Sequence, residues 1–93
     1  MANERLQKGF GLVSNDVMRD PNIPLKLKGL YSLLATYADK DNGETFISVN
    51  RMAAETNIDD SSVRRYLTDL IKLGVISRTR RGKNQSWITR LLK

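Results

Sequence analysis

The sequence contains neither cysteine nor histidine. Without cysteine there are no disulfides and no thiolate ligands, and without histidine there is no imidazole ligand and no access to the commonest general base. We therefore expect no metal, no cofactor and no enzymatic activity. The carboxylates of Asp39, Asp41 and Glu44 are close together in the sequence, but they lie in a hydrophilic stretch where solvation accounts for them.

Long apolar segments are also missing. No run approaches the roughly 20 apolar residues of a transmembrane helix, and the N-terminus lacks the apolar core of a signal peptide. The sequence thus predicts a cytoplasmic protein that does not associate with a membrane. Its 93 residues, 40% apolar and 28% charged, fit one globular domain. We assign residues 1–9 to a flexible N-terminal arm and residues 10–93 to the folded domain.

The basic residues are concentrated in the last third of the chain, whose overall formal charge is +6. Residues 1–60 contain seven Lys or Arg and nine Asp or Glu, a net charge of −2. Residues 61–93 contain nine Lys or Arg and one acid, a net charge of +8. A domain with this polarity is predicted to present one face to a polyanion. The alternative is that the basic residues only keep a small protein soluble.

Two short helices joined by a tight turn are predicted between Ser48 and Leu73. Ser48 is the expected N-cap of the first helix, which should end near Asn57 because asparagine tolerates the left-handed conformation. Asp59 is the expected N-cap of the second helix, and Gly74 should follow its C-terminal end. The second helix has an apolar stripe formed by Val63, Tyr66, Leu67, Leu70, Ile71 and Leu73. Together these features predict a helix-turn-helix.

The polar face of the second helix has residue types that contact nucleic acids. These residues are Ser61, Ser62, Arg64, Arg65 and Thr68. Arg64 is the candidate for reading a base edge, and the two serines are candidates for phosphate contact. In the alternative interpretation, Arg65 forms a salt bridge with Asp69 and the serines only start the helix. Asp59 and Asp60 would repel phosphates at the entrance of this helix.

Upstream of the motif, the pattern predicts one long helix and two shorter elements. The apolar residues of segment 10–13 should pack on the core in an extended conformation, and a single helical turn should end before Pro21. The long helix should begin near Pro24, and Gly29 within it would allow a close helix crossing. Its inward face is predicted to contain Leu27, Leu30, Tyr31, Leu34, Tyr37 and Ala38.

A β-hairpin is predicted after Gly74. Two β-type segments, residues 75–81 and 86–92, flank a four-residue loop that contains glycine and asparagine. Residues 45–48 should add one short strand that pairs with this hairpin. Three helices, a C-terminal hairpin wing and a short third strand predict an α+β fold, the winged helix-turn-helix.

The hairpin, which we call the wing, has the densest positive charge. Its basic residues are Arg78, Arg80, Arg81, Lys83 and Arg90, and Asn84 and Gln85 lie at its tip. Alternation puts Arg78 and Arg80 on one face and Arg81 on the other. Arg81 and Lys83 are candidates for entering a minor groove.

We expect the wing to contribute at least as much affinity for DNA as the recognition helix. The alternative is that the wing is a charged edge strand that prevents aggregation. Trp87 is predicted to be a core residue that caps the hairpin rather than a platform for a base.

Residues 10–92 resemble the helix-turn-helix domain family found at the N-termini of replication initiators and related proteins of Gram-positive phages and plasmids. The resemblance rests on residues 17–20, 28–34, 37–38, 43–48, 52–53, 62–65 and 70–76. Asn57 replaces the usual glycine of the turn. The resemblance implies sequence-specific binding of double-stranded DNA at an origin, in replication initiation or as an accessory factor of conjugative transfer. It also implies replication or relaxase proteins of the same element as partners.

Two other functions fit the same residues. A transcriptional regulator would have the same fold, and a protein-assembly module would use Tyr31, Tyr37 or the N-terminal arm to contact a partner. No dedicated dimerisation helix is recognisable, which favours a monomer or weak homodimer on DNA. A DNA-binding protein with six to ten phosphate contacts should lose about 10³–10⁵ in affinity between 50 and 200 mM salt, whereas an assembly module should not.

Overall fold

The structure is a computed structural model, and it describes residues 9–80, residue 82 and residues 87–93. The predicted arm, apart from Gly9, and the predicted wing-tip residues Arg81, Lys83, Asn84 and Gln85 lie outside these ranges. The helices are α1 (Asn15–Met18), α2 (Leu25–Tyr37), α3 (Val49–Thr56) and α4 (Asp60–Lys72). The strands are β1 (Glu44–Thr45), β2 (Ile76–Arg80) and β3 (Trp87–Leu91). This order confirms the predicted α+β winged helix-turn-helix.

The three strands form one antiparallel sheet in the order β1-β3-β2. Thr45 pairs with Thr89, and Arg80 pairs with Trp87. Because side chains alternate along a strand, this register puts Ile76 and Thr89 on the face that packs against the helices. The predicted third strand is confirmed, although it consists of Glu44–Thr45 rather than residues 45–48.

The core lies between the helices and this face of the sheet. Its fully buried side chains include Tyr31 of α2 and Met52 of α3, and burial of each large apolar side chain contributes about 1.5–3 kcal/mol. The other members of the core are Val17, Ile23, Leu27, Leu30, Leu34, Ile47, Ala53, Val63, Leu67, Leu70, Val75 and Ile76. No helix in the described part of the chain is long and apolar enough to cross a membrane.

The helix-turn-helix is capped as the sequence predicts. The Ser48 hydroxyl accepts a hydrogen bond from the backbone N–H of Arg51 at 3.1 Å, which satisfies a free donor at the start of α3. Asn57 ends α3 in the left-handed conformation, with φ 57°. An Asp59 carboxylate oxygen then accepts the backbone N–H of Ser62 at 3.1 Å and caps α4.

The end of α4 is a Schellman motif. Gly74 has φ +76°, its N–H bonds to the carbonyl of Ile71 at 3.0 Å, and the N–H of Val75 bonds to the carbonyl of Leu70 at 3.2 Å. Val75 and Leu70 are both buried, so the motif also closes an apolar contact. It turns the chain from the helix directly into β2.

Three predictions about the helices are wrong. Tyr37 lies on the exposed side of α2, and Ala35 takes a place in its buried face. Gly29 faces open space and allows no close helix crossing. Ile71 and Leu73 belong to the predicted apolar stripe of α4, but both are exposed, because the buried face of this helix is narrower than the stripe.

The prediction for segment 10–13 is also wrong. Phe10, Leu12 and Val13 are exposed, and the segment forms no strand. The chain passes the C-terminal part of α2 with its backbone rather than its side chains: a Cβ added to Gly11 would lie 2.8 Å from the carbonyl oxygen of Ala35. The predicted helical turn is confirmed as α1, with Val17 buried and Met18 packed against the core.

Candidate nucleic-acid interface

A cleft of about 420 Å³ lies beside the β-hairpin and is bordered by Arg64 of α4. The rest of its lining comes from the segment that leads from β1 into α3 and from the start of α3. The residues that line it are Phe46, Ile47, Ser48, Val49, Asn50, Arg64, Arg78 and Trp87. No lining residue is acidic, and two are arginines from different elements. We call this space the wing cleft.

Arg78 is held in a fixed position on the hairpin side of the wing cleft. Its Nε donates a hydrogen bond to Thr89 Oγ1 at 3.0 Å, across the β2–β3 pair. Its guanidinium carbon lies 5.2 Å from the centroid of the Trp87 ring, within the range of a cation–π interaction. Burial lowers the pKa of Arg78. Within the described ranges this guanidinium has no carboxylate partner.

Trp87 is not the core residue that the sequence predicted. It lies on the same face of the sheet as the buried Thr89, but 43% of its surface is exposed because the hairpin extends beyond the helices at this point. Arg80 contacts the same ring, with its guanidinium carbon 5.6 Å from the centroid. Arg78 and Arg80 therefore share one face, as alternation predicted, and Trp87 holds both.

The polar face of α4 is largely exposed, as predicted. Ser61, Arg64, Arg65 and Thr68 are exposed and Ser62 is half-buried. Of this set, Arg64 is the residue that lines the wing cleft. The sequence pattern therefore predicts the surface position of these residues, and the fold brings Arg64 to the same cleft as Arg78 and Trp87 of the hairpin.

Two of the residues on α4 take part in its N-terminal cap. The Ser62 hydroxyl donates to the Asp59 carboxylate at 2.7 Å and accepts a hydrogen bond from Arg65 Nη2 at 3.2 Å. In the described part of the chain Arg65 therefore bonds to Ser62, and it forms no ion pair with Asp69. Hydrogen bonds from the hydroxyl and backbone N–H of Ser62 lower the pKa of Asp59, so its carboxylate stays charged at the entrance of α4.

The basic residue of α3 is already neutralised. Arg51 Nε bonds to a Glu55 carboxylate oxygen at 3.2 Å, and the Tyr37 hydroxyl donates to the same carboxylate at 2.6 Å. Hydrogen bonds from Tyr37 and Arg51 lower the pKa of Glu55. No local sequence pattern predicts this cluster, because it joins α2 to α3 across a sequence separation of 18 residues.

The floor of the wing cleft is not among the sequence predictions. Phe46 and Ser48 lie in the segment between β1 and α3, and Asn50 lies in the first turn of α3. Their position at the start of the first motif helix was the signal available in the sequence. The predicted contacts of Arg81, Lys83, Asn84 and Gln85 lie outside the described residues and remain predictions. No three carboxylates in the ranges that the structure covers come close enough together to hold a metal ion.

A family model described as "Helix-turn-helix domain" matches residues 22–76, more than half of the chain. No curated protein matches. A solved structure titled "N-Terminal domain of DNA binding protein" aligns with 100% of this chain and 81% of its own, at 19% identity and a TM-score of 0.70. That identity shows a shared fold alone. Through the family match, which spans α2 to the start of β2, the chain belongs to the helix-turn-helix domain family.

Proposed function

We propose that this protein binds double-stranded DNA with sequence specificity, through α4 and the wing together. The observation that carries the proposal is the wing cleft, where Arg64 of α4 and Arg78 of β2 line one concave surface without an acidic residue. Arginines from two elements on one surface suit the closely spaced phosphates of a duplex. The helix-turn-helix family and the DNA-binding protein with the same fold support this function.

The distribution of charge supports the same face. Residues 61–93, which contain most of α4 together with β2 and β3, have a net charge of +8. Arg64 and Arg78 of this segment line the wing cleft, and Arg80 contacts its Trp87 ring. Arg51, the basic residue of α3, is paired with Glu55 and adds little to the field. An anionic ligand is therefore attracted to α4 and the wing rather than to the first helix of the motif.

In this proposal α4 is the recognition helix. Arg64 reads a base edge in the major groove, because a bidentate arginine–guanine contact discriminates by about 1–3 kcal/mol. Ser61, Arg65 and Thr68, exposed on the same helix, contact phosphates or neighbouring bases, and Ser62 contributes through the cap. The carboxylates of Asp59 and Asp60 limit how closely the start of α4 approaches the backbone.

The wing contributes the second contact with DNA. Arg78 and Arg80 are positioned by Trp87, and we assign Arg81 and Lys83 to the adjacent minor groove with Asn84 and Gln85 at the tip. We further propose that the target is an origin of a plasmid or phage, where the protein acts in replication initiation or conjugative transfer. It binds there as a monomer or weak homodimer beside replication or relaxase proteins. The resemblance of residues 10–92 to initiator domains supports this setting.

A salt-titrated binding assay on duplexes tests the proposal. We expect the affinity of the intact chain to fall by about 10³–10⁵ between 50 and 200 mM salt. An Arg80→Ala, Arg81→Ala, Lys83→Ala wing variant should show a flatter salt slope. Arg64→Ala should lose discrimination between sequences and keep most of the slope. The control is Arg19→Ala, an exposed arginine at the end of α1 that does not line the wing cleft.

Selection of bound duplexes from a random library identifies the target. Recovery of a sequence found in plasmid or phage origins supports the origin role, and recovery of promoter operators favours a transcriptional regulator. Absence of binding to every duplex at low salt contradicts DNA binding and favours the protein-assembly module.

A further inference from the structure

We infer that the wing cleft holds one phosphate group of the DNA backbone, with Arg78 as its ligand and Trp87 as the residue that positions Arg78. The inference rests on the proposed DNA binding and goes beyond it in assigning one phosphate to one arginine. It also assigns Trp87 the role of positioning Arg78 and Arg80, the two arginines that its ring contacts, rather than the role of contacting a base in a groove.

The hydrogen bonding of Arg78 leaves it prepared for an anion. Its Nε–H is committed to Thr89 Oγ1, so the two terminal NH₂ groups remain for a ligand. Two parallel N–H donors match two oxygens of a phosphate in a bidentate contact. Thr89 is completely buried and therefore cannot shift easily, which fixes the guanidinium at the wall of the cleft.

The environment of Arg78 favours a bound anion. The guanidinium has lost part of its water through burial, and in the part of the chain that the structure describes no carboxylate compensates for this loss. An anion in the wing cleft would supply the missing opposite charge. Arg64, which lines the same cleft, adds a second positive charge to this space.

Trp87 reduces the freedom of the arginines before DNA arrives. Long arginine side chains lose rotamer entropy when they bind, and a ring that already contacts both Arg78 and Arg80 removes part of that cost. The register makes this possible, because Trp87 is the direct cross-strand partner of Arg80 and lies diagonally opposite Arg78. We therefore expect Trp87 to act through the arginines and not through its own contact with a base.

The test scans a high-affinity duplex with single methylphosphonates, each of which removes the charge of one phosphate. In the intact chain, neutralising one position should lower affinity by about 10- to 150-fold, which corresponds to the roughly 1.5–3 kcal/mol of a charge-assisted hydrogen bond. Arg78→Ala should bind the unmodified duplex more weakly by a similar factor and show no further loss at that position. The matched control is Arg90→Ala, an exposed arginine on the other face of the sheet, which should keep the position-specific loss.

Two conservative variants separate binding from folding. Arg78→Gln keeps an amide donor for Thr89 without the charge, and it should lose the position-specific effect while the free energy of unfolding stays close to that of the intact chain. Arg78→Lys keeps the positive charge but replaces the planar guanidinium with an ammonium group on a flexible side chain. It should therefore recover only part of the affinity that Arg78→Ala loses.

A double-mutant cycle tests the role of Trp87. Trp87→Ala should weaken binding in the intact background, Trp87→Phe should restore most of it, and Trp87→Ala should have no effect in the Arg78→Ala, Arg80→Ala background. Additive effects would overturn the positioning role. A chain that binds duplex without one sensitive phosphate, or with the same sensitive phosphate in Arg78→Gln, would overturn the phosphate assignment while leaving DNA binding intact. A chain that binds no duplex would overturn both.

Discussion

The Tyr31 hydroxyl donates a hydrogen bond to the backbone carbonyl of Lys93 at 2.8 Å, across 62 residues of chain. It also accepts the backbone N–H of Ser14 at 3.1 Å. Tyr31 is fully buried in the middle of α2. A single hydroxyl in the core therefore fastens two segments, one before α1 and one after β3, to the same helix.

Tyr31→Phe should destabilise the protein by about 1–3 kcal/mol, because it leaves one donor and one acceptor without their partner in a partly buried position. Tyr66→Phe is the matched control, since the Tyr66 hydroxyl bonds to none of the described residues and its ring contact with Lys26 survives the change. Urea denaturation of the three proteins measures both effects. Equal stability of the two variants would contradict the anchoring role of Tyr31.

Two glycines should respond to alanine in opposite directions. At Gly11 a Cβ would lie 2.8–2.9 Å from backbone atoms of Ala35 and Thr36, so the backbone must shift at a cost of about 1–3 kcal/mol. Gly29 is helical and open to solvent, and alanine there should stabilise the protein by about 0.5–1 kcal/mol. Thermal unfolding of the two variants measures both changes in stability. A stabilising Gly11→Ala would show that the segment before α1 does not approach α2 so closely.

Asp59 should make the stability of the protein depend on pH. Its hydrogen bonds with Ser62 lower its pKa in the folded state, so the carboxylate stabilises the fold above the unfolded pKa of about 3.9. This contribution is lost as the pH falls through the lower folded value. Asp59→Asn keeps a capping side chain without the charge. The difference in unfolding free energy between the two proteins should be constant above about pH 5 and should shift in favour of Asp59→Asn at lower pH; a difference that does not change with pH would contradict this.

Much of the helix-turn-helix could be predicted because its signals are local. A serine or aspartate three residues before a backbone N–H defines a cap, and asparagine or glycine at the end of a helix defines a stop. Ser48, Asn57, Asp59 and Gly74 each act within a few residues of their own position. The hairpin could be predicted equally well, because two β-type segments that flank a short polar loop are expected to pair with each other.

The errors concern residues whose environment depends on distant parts of the chain. Trp87 alternates with Thr89 on the inner face of the sheet, but the sequence does not show how far the helices extend beneath that face. Tyr37 follows the apolar spacing of α2, yet its hydroxyl binds Glu55 of α3 at the surface. The wing cleft was missed for the same reason: Arg64 and Arg78 line one space only because the Schellman motif turns β2 back beside α4.

Chemical-shift mapping of the ¹⁵N-labelled chain with a bound duplex tests the central claim most directly. We expect the largest shifts at the start of α3, on the exposed face of α4 and along β2 and β3, together with the indole N–H of Trp87. The amides of α1 and Gly11 should change little, and the shifts should collapse as salt is raised. Shifts concentrated on α1 and α2, or shifts that persist unchanged at high salt, would contradict DNA binding through the wing cleft.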